Sequence, residues 1–182
     1  SDVDYREFYA VNVLARGISV IVAHPDTPWR SLKELMEDVK NRPGEIKMGS
    51  TGPGGLPYVI GAMLGTQGEF DIIPVPFDGD GPAITALLGG HVDFLPSGYT
   101  ATSEHIRAGR LRALAVVNDQ EIELLPGIPP LTQDYPAFKK FLPWGPFYGV
   151  FIDKDAPDSV KTKLTEAFHQ GASDPAFEKF VT

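Results

Sequence analysis

A glycine-rich segment at residues 49–55 has the residue types that bind anions. It reads Gly-Ser-Thr-Gly-Pro-Gly-Gly and lies between a short apolar strand and an apolar helical pattern. Amides at a helix start are free and partly positive, and glycines let a ligand approach the backbone closely. The hydroxyls of Ser50 and Thr51 add further donors. A turn that acts only through its geometry fits the same spacing, so both interpretations stay open.

Two further segments have the same position between a predicted strand and a predicted helix. Residues 75–82 offer Phe77 as an aromatic wall and the Gly79 amide as a donor, and residues 96–100 form the third loop. Ligands of open α/β sheets bind at the carboxyl ends of the strands. We therefore expect all three loops at one rim of a sheet.

Patterns for catalysis, nucleotides and metals do not occur in the sequence. Residues 49–55 lack the Gly-Lys-Ser/Thr of a Walker A loop and the dinucleotide glycine spacing, and no serine has Gly-x-Ser-x-Gly flanks. Asp78 and Asp80 flank a helix start, where capping explains them more simply than calcium binding. We expect a protein that is not an enzyme, with no catalytic residues, metal or cofactor. A hydrolase or transferase would need a nucleophile that the pattern does not supply.

Composition excludes several other classes. The 182 residues carry 16 Lys and Arg against 24 Asp and Glu, a net charge of -8, which argues against nucleic acid as a partner. No apolar run approaches the ~20 residues of a membrane-spanning helix, so no membrane insertion is expected. Without cysteine, the redox compartment stays open.

The elements that must position these loops alternate between strand and helix. This alternation predicts an α/β fold with a mainly parallel sheet flanked by helices. We expect one complete lobe at residues 18–117, and hinge segments with part of a second lobe at residues 1–17 and 118–182. The predicted strands lie at residues 18–23, 46–49, 71–75, 92–95 and 111–117.

Local signals refine this outline. Ser31 with Glu34 three residues later predicts a reciprocally capped helix start. Pro74 predicts an edge strand, because proline cannot donate to a sheet ladder. A late helix beginning near Pro157 is expected to bury an apolar face made of Val160, Leu164, Ala167 and Phe168.

The order and spacing of several motifs resemble a known family. These motifs are Asn41-Arg42-Pro43-Gly44 before the loop at 49–55, Val75-Pro76-Phe77 with Gly79 and Pro82-Ala83, Leu88-Gly89-Gly90-His91-Val92-Asp93, residues 108–116, residues 125–132 and residues 144–149. Over nearly its whole length the chain is similar to the substrate-binding receptors of tripartite tricarboxylate transporters, the Bug or TctC type of periplasmic solute-binding protein. The likeness begins partway through the family pattern.

The resemblance implies a type II periplasmic-binding fold that closes on a small organic acid and delivers it to membrane permease subunits. It implies that one carboxylate binds the amides and hydroxyls of Ser50, Thr51, Gly52, Gly54 and Gly55. By the same likeness, the cleft is lined by Phe77 and Gly79 and completed by Ser97 and Gly98. The ligand would be a di- or tricarboxylate or a related acid. The location would be periplasmic, with a signal peptide expected before Ser1.

Some positions depart from the family pattern. Gly55 replaces a hydroxyl residue, Tyr58 a frequent histidine, Asp78 a common lysine, and Ser97 a frequently acidic residue. Asp78 would repel an anion if it pointed inward. An effector-binding domain of a LysR-like transcription regulator, which can share this architecture, is the alternative.

Overall fold

The computed structural model describes residues 4–142 and 145–181, so Trp144, part of the last motif above, lies outside the described residues. The described residues form seven strands: β1 Phe8–Arg16, β2 Ser19–Ala23, β3 Lys47–Ser50, β4 Ile73–Pro76, β5 Phe94–Gly98, β6 Arg112–Val116 and β7 Phe147–Asp153. The α-helices are α1 Leu32–Asn41, α2 Leu56–Gly68, α3 Asp80–Leu88, α4 Tyr99–Arg107, α5 Asp158–Ala172 and α6 Pro175–Val181. Within the described ranges, no helix combines the length and apolar character needed to cross a membrane.

The chain divides into two compact units. The larger unit is Ile18–Pro146, and the smaller one combines Ser1–Gly17 with Phe147–Thr182. Residues 118–146 therefore belong to the same compact unit as the predicted lobe of residues 18–117. The reason is apolar burial, since Leu125, Leu131 and Phe138 all enter the cores of the larger unit.

A five-stranded sheet in the order β4-β3-β5-β2-β6 forms the centre of the larger unit. Strand β3 is parallel to β4 and β5, whereas β2 is antiparallel to both β5 and β6. The α/β class with helices around a mainly parallel central sheet is confirmed: β3, β4, β5 and β6 run in one direction, and β2 runs in the opposite one. Strand β4 lies at the edge, as Pro74 predicted.

Helices cover both faces of this sheet. Strand β2 alternates between the faces: Ile21 and Ala23 pack in a core with α1 and α2, and Val20 and Val22 pack in a second core with α3 and α4. A strand buried on both faces reads as a continuous apolar run, which explains residues 18–23.

The start of α1 follows the prediction with one change. Ser31 Oγ accepts from the Glu34 amide at 3.2 Å, so the helix is capped as expected. The Glu34 carboxylate, however, accepts from the amide of Arg30, 2.6 Å away, one residue before the cap. Both free amide groups are satisfied, although the second belongs to the preceding residue.

Two charged side chains stabilise the sheet edge where α1 begins. The Arg112 guanidinium donates to the carbonyl oxygens of Pro25 (2.8 Å), Thr27 (3.1 Å) and Trp29 (2.9 Å), fixing the β2–α1 loop. Asp38 accepts from Trp29 Nε1 at 2.8 Å and pairs with Arg42. Hydrogen bonds from Arg42 hold the pKa of Asp38 below its ordinary value, against the opposing effect of burial. Arg42 of the Asn-Arg-Pro-Gly motif is thus structural.

The smaller unit is a two-stranded antiparallel sheet of β1 and β7 with α5 beside β1. Lys161 Nζ of α5 lies 5.6 Å from the centre of the Tyr9 ring. The predicted buried face of α5 is wrong: Val160 is 42% exposed, and no described residue of this helix is buried. Phe147 and Phe151, whose ring centres are 6.1 Å apart, are exposed as well.

Candidate ligand-binding rim

The carboxyl ends of β3, β4 and β5 lie at the same end of the larger unit's sheet, because these three strands are parallel. We call this end of the sheet the rim. The amino end of β2 lies there too, since Ser19 pairs with Gly98 at the end of antiparallel β5. All three loops that the sequence singled out therefore lie at the rim. Arg112 and Asp38 lie at the opposite end of the sheet.

The first rim loop folds on itself around Ser50. This residue is fully buried at the end of β3, and its Oγ accepts from the Gly52 amide at 3.3 Å. The Gly55 amide donates to the Gly52 carbonyl oxygen at 3.1 Å. Gly52 and Gly54 have φ angles of 88° and 83°, a left-handed region that favours glycine.

Space around the start of α2 is also restricted. A Cβ placed on Gly55 would collide with Thr51 Oγ1, so the Thr51 hydroxyl lies against the helix start. The amides of Gly54 and Leu56 have no acceptor among the described residues. The loop thus presents backbone donors and one hydroxyl at the start of a helix.

The second loop is joined to the first by the backbone. The Phe77 amide donates to the Ser50 carbonyl oxygen at 2.8 Å, one step beyond the β3–β4 ladder. The Phe77 ring is partly buried and packs against the core shared with α3 and α4. Gly79 has φ 108° and precedes α3 as its cap. The turns at Ser50 and Phe77 are therefore neighbours, as the receptor interpretation requires.

The third loop and the start of β2 each bring a buried hydroxyl to the rim. Ser97 is 3% exposed and Ser19 is 1% exposed, and neither Oγ has a hydrogen-bond partner among the described residues. They come from adjacent positions of the β2–β5 pair, where Ser97 is opposite Val20 and Ser19 is opposite Gly98. A buried hydroxyl without a partner costs about 1–3 kcal/mol, so these atoms mark places where a polar group can be accepted.

The three rim helices share one electrostatic feature. Helices α2, α3 and α4 begin after Gly55, Gly79 and Gly98, and no side chain caps any of them. By contrast, α1 starts at the end of the sheet opposite the rim and is capped by Ser31. A helix start carries roughly half a positive charge on its free amides, so three uncapped starts make the rim favourable for an anion.

Acidic side chains lie beside the second loop. Asp78 is exposed, whereas Asp80, the first residue of α3, is partly buried. The Asp80 Oδ2 atom lies 3.9 Å from where a Cβ of Gly98 would stand. Within residues 4–142 and 145–181, no group of three or more His, Asp or Glu side chains is arranged to hold a metal ion.

The sequence interpretation did not include Ser19 or the position of Asp80 in the site. Ser19 stands next to the uninterrupted apolar run at residues 20–23, and a hydroxyl beside such a run was an available signal. No sequence pattern indicates that Asp80, and not Asp78, approaches Gly98, because this depends on how α3 packs against β5.

These features define an α/β unit with helices on both faces of its sheet, in which three helix starts without side-chain caps converge on one rim that suits a small anion. A family model for the receptor of the tripartite tricarboxylate transporter family, TctC, matches residues 2–182. The chain belongs to this family of receptors. Its members are not enzymes, in agreement with the prediction.

Individual relatives support the same assignment. A UPF0065 protein from the tcbD-tcbE intergenic region of Pseudomonas sp. (strain P51) is 29% identical over 172 residues, which are 93% of this chain and 50% of that protein. The chain thus spans about half the length of this curated relative. The structure of the periplasmic binding protein BugD is similar with a TM-score of 0.82 and 28% identity, over 94% of this chain and 56% of BugD.

A third comparison concerns the fold. MatC from Rhodopseudomonas palustris, described with bound malate, aligns with a TM-score of 0.81 and 23% identity over 93% of this chain and 57% of that one. Together with BugD, it confirms the predicted periplasmic-binding type of α/β fold.

Proposed function

We propose that this chain is the ligand-binding part of an extracytoplasmic receptor that captures a small carboxylate for a tripartite tricarboxylate-type transporter. The single observation that carries the proposal is the convergence of three uncapped helix starts, after Gly55, Gly79 and Gly98, on one rim. Free amides in this arrangement stabilise a carboxylate through hydrogen bonds and partial positive charge.

In this proposal the ligand contacts are those expected from the sequence. Ser50, Thr51, Gly52, Gly54 and Gly55 hold a carboxylate, Phe77 and Gly79 form a wall, and Ser97 and Gly98 complete the rim. Because Ser50 Oγ already accepts from Gly52, its contribution is to shape the loop and to offer its hydroxyl proton. Leu56 adds an amide donor beside Gly54.

The class of ligand, the location and the partner are parts of the same proposal. A small carboxylate is supported by family membership and by MatC, a protein of the same fold described with malate. A periplasmic location is supported by the likeness to the periplasmic binding protein BugD, and membrane permease partners by the family's description as a transporter receptor. The larger unit would be one lobe of the receptor, and residues 1–17 with 147–182 would belong to the other. The family match favours this receptor over the effector-binding domain of a regulator.

A thermal-shift screen tests the proposal. Dicarboxylates, tricarboxylates and aromatic acids at 1 mM would be compared with their uncharged amides as controls. For a ligand with a Kd near 10 μM, this concentration is an about hundredfold excess over the Kd. Such a ligand stabilises the protein by about 2.7 kcal/mol, which is a shift of several degrees. Stabilisation by an acid but not by its amide is expected. Equal behaviour of every acid and its amide would refute carboxylate binding.

A further inference from the structure

The charges at the rim restrict the ligand more than the helix starts alone. The three loops, residues 50–55, 76–80 and 96–100, contain no Lys, Arg or His, and their only ionisable acids are Asp78 and Asp80. A carboxylate at this rim is therefore held by amides and hydroxyls. A second carboxylate on the same ligand would have no cationic side chain from these loops to meet it.

Asp80 brings a carboxylate to the third rim loop. Its Oδ2 is 3.9 Å from the Cβ position of Gly98. Gly98 follows Ser97, whose hydroxyl is buried without a partner among the described residues. Among the described residues, no side chain or amide gives the Asp80 carboxylate a hydrogen bond or an ion pair. It stands in the first turn of α3, where it offsets the partial positive charge of that helix start.

Three helix starts are thus electrostatically unequal. The starts of α2 and α4 have no acidic residue in their first turns, whereas that of α3 carries its own carboxylate. An anionic group is favoured near the start of α2 and is repelled near Asp80, whose carboxylate also lies beside Gly98 at the start of α4. A cationic group is favoured near Asp80, because opposite charges within ~4–6 Å attract strongly where water is partly excluded.

We propose that the ligand is an amino acid with a single carboxylate, whose ammonium group pairs with Asp80 while its carboxylate binds the amides at the start of α2. This inference rests on the proposed carboxylate-binding function and names its ligand class. Asp80 is the specificity-determining residue, and the Ser97 hydroxyl of the third loop is a neutral partner for the ligand.

The test uses four acids of one carbon skeleton. Isothermal titration calorimetry compares 4-aminobutyrate, L-2-aminobutyrate, butyrate and succinate on the unmodified protein. One of the two aminobutyrates is expected to bind at least about tenfold more tightly than butyrate, the factor that corresponds to 1.4 kcal/mol. Succinate is expected to bind more weakly than butyrate.

Variants at the acidic positions assign the effect. Asp80→Asn should remove the about tenfold preference and raise succinate affinity, whereas Asp80→Glu keeps the charge and the preference. Asp78→Asn, at the exposed neighbour, should change neither. Urea unfolding of each variant checks that the fold is intact.

The possible failures are distinguishable. If succinate or butyrate binds as tightly as both aminobutyrates, or if Asp80→Asn weakens all acids alike, the amino acid assignment is overturned and the carboxylate receptor stands. If none of the four acids, and none of those in the thermal-shift screen, is bound, both proposals are overturned.

Discussion

The amide of Phe77 donates a hydrogen bond to the carbonyl oxygen of Ser50, with an N···O distance of 2.8 Å. This bond continues the β3–β4 pairing past Pro76 and joins the first two rim loops through backbone atoms. Backbone positions fixed in this way lose little conformational entropy when a ligand is bound, so the rim is preorganised. Substitutions in these loops should therefore affect binding more than folding.

Gly55→Ala should weaken carboxylate binding at least about tenfold. The new Cβ collides with Thr51 Oγ1, and the Gly52 carbonyl oxygen, 3.2 Å away, blocks the alternative position. The hydroxyl must leave the start of α2. Because alanine is also a poorer cap than glycine, stability should fall by about 1 kcal/mol. Calorimetry with the best acid from the screen measures the affinity.

Gly81→Ala is the matched control. A Cβ at Gly81 has nothing within 4 Å, and the residue is helical, so the variant should gain about 0.5 kcal/mol in stability. Its affinity should equal that of the unmodified protein. Equal affinity of Gly55→Ala and Gly81→Ala would show that the loop at residues 50–55 does not contact the ligand.

Ser97→Ala should separate binding from stability. The Ser97 hydroxyl is buried without a partner, so its removal should leave the free energy of unfolding unchanged or raise it by about 1 kcal/mol. Loss of one hydrogen bond to a ligand should weaken affinity about fivefold. Urea unfolding and calorimetry on the same variant give the two numbers.

Thr102→Val supplies the opposite pattern as a control. Thr102 Oγ1 donates to the backbone near Gly98 and Tyr99, at 3.2 Å and 3.3 Å. Its replacement should cost about 1 kcal/mol of stability and leave affinity unchanged. A Ser97→Ala variant that loses stability while keeping its affinity would contradict the ligand role of Ser97.

Arg112→Met should destabilise the larger unit by about 2–3 kcal/mol, because three carbonyl oxygens of the β2–α1 loop lose a charged donor. The affinity for the carboxylate should not change, since Arg112 lies at the end of the sheet opposite the rim. Exposed Arg110→Met is the control and should lie within about 0.5 kcal/mol of the unmodified protein. Urea unfolding compares them, and equal stability of the two variants would mean that the loop does not depend on Arg112.

Asp38→Asn should alter the response of stability to acid. The folded-state pKa of Asp38 is lowered by Arg42, so the unfolded chain takes up the proton first as pH falls. The stabilisation is complete above the ordinary pKa of 3.8 and is lost as pH falls through the lowered value. Unfolding free energies at pH 7 and pH 3 should show the unmodified protein losing more than Asp38→Asn does. A parallel loss in both proteins would contradict the coupling.

Much of the fold follows from local sequence signals, but the direction in which each strand runs in the sheet does not. The Ser31 cap and the edge position of Pro74 were predictable because each depends on one residue's hydrogen-bonding capacity. The antiparallel course of β2 was not, because a strand buried on both faces has the same apolar pattern in either direction. Similarly, Val160 and its neighbours have helical spacing, but spacing cannot reveal whether a partner surface covers them.

The rim was predictable to the level of its loops. Glycines after β3 and β4 mark helix starts, so Gly55 and Gly79 were correctly expected between strand and helix. What sequence cannot supply is the direction of a side chain. The isolation of Ser19 Oγ and the approach of Asp80 to Gly98 depend on packing between separate segments, and the bond from the Gly52 amide to Ser50 Oγ depends on the rotamer of Ser50.

The outermost strand of the larger unit has a consequence for how molecules meet. Two of the four residues of β4, Pro74 and Pro76, have no N–H group, so an incoming strand finds an incomplete set of donors there. Strand addition on this side would leave carbonyl groups unmatched and is disfavoured. The two prolines therefore disfavour the formation of fibres by edge-to-edge pairing of β4 in concentrated solutions of the protein.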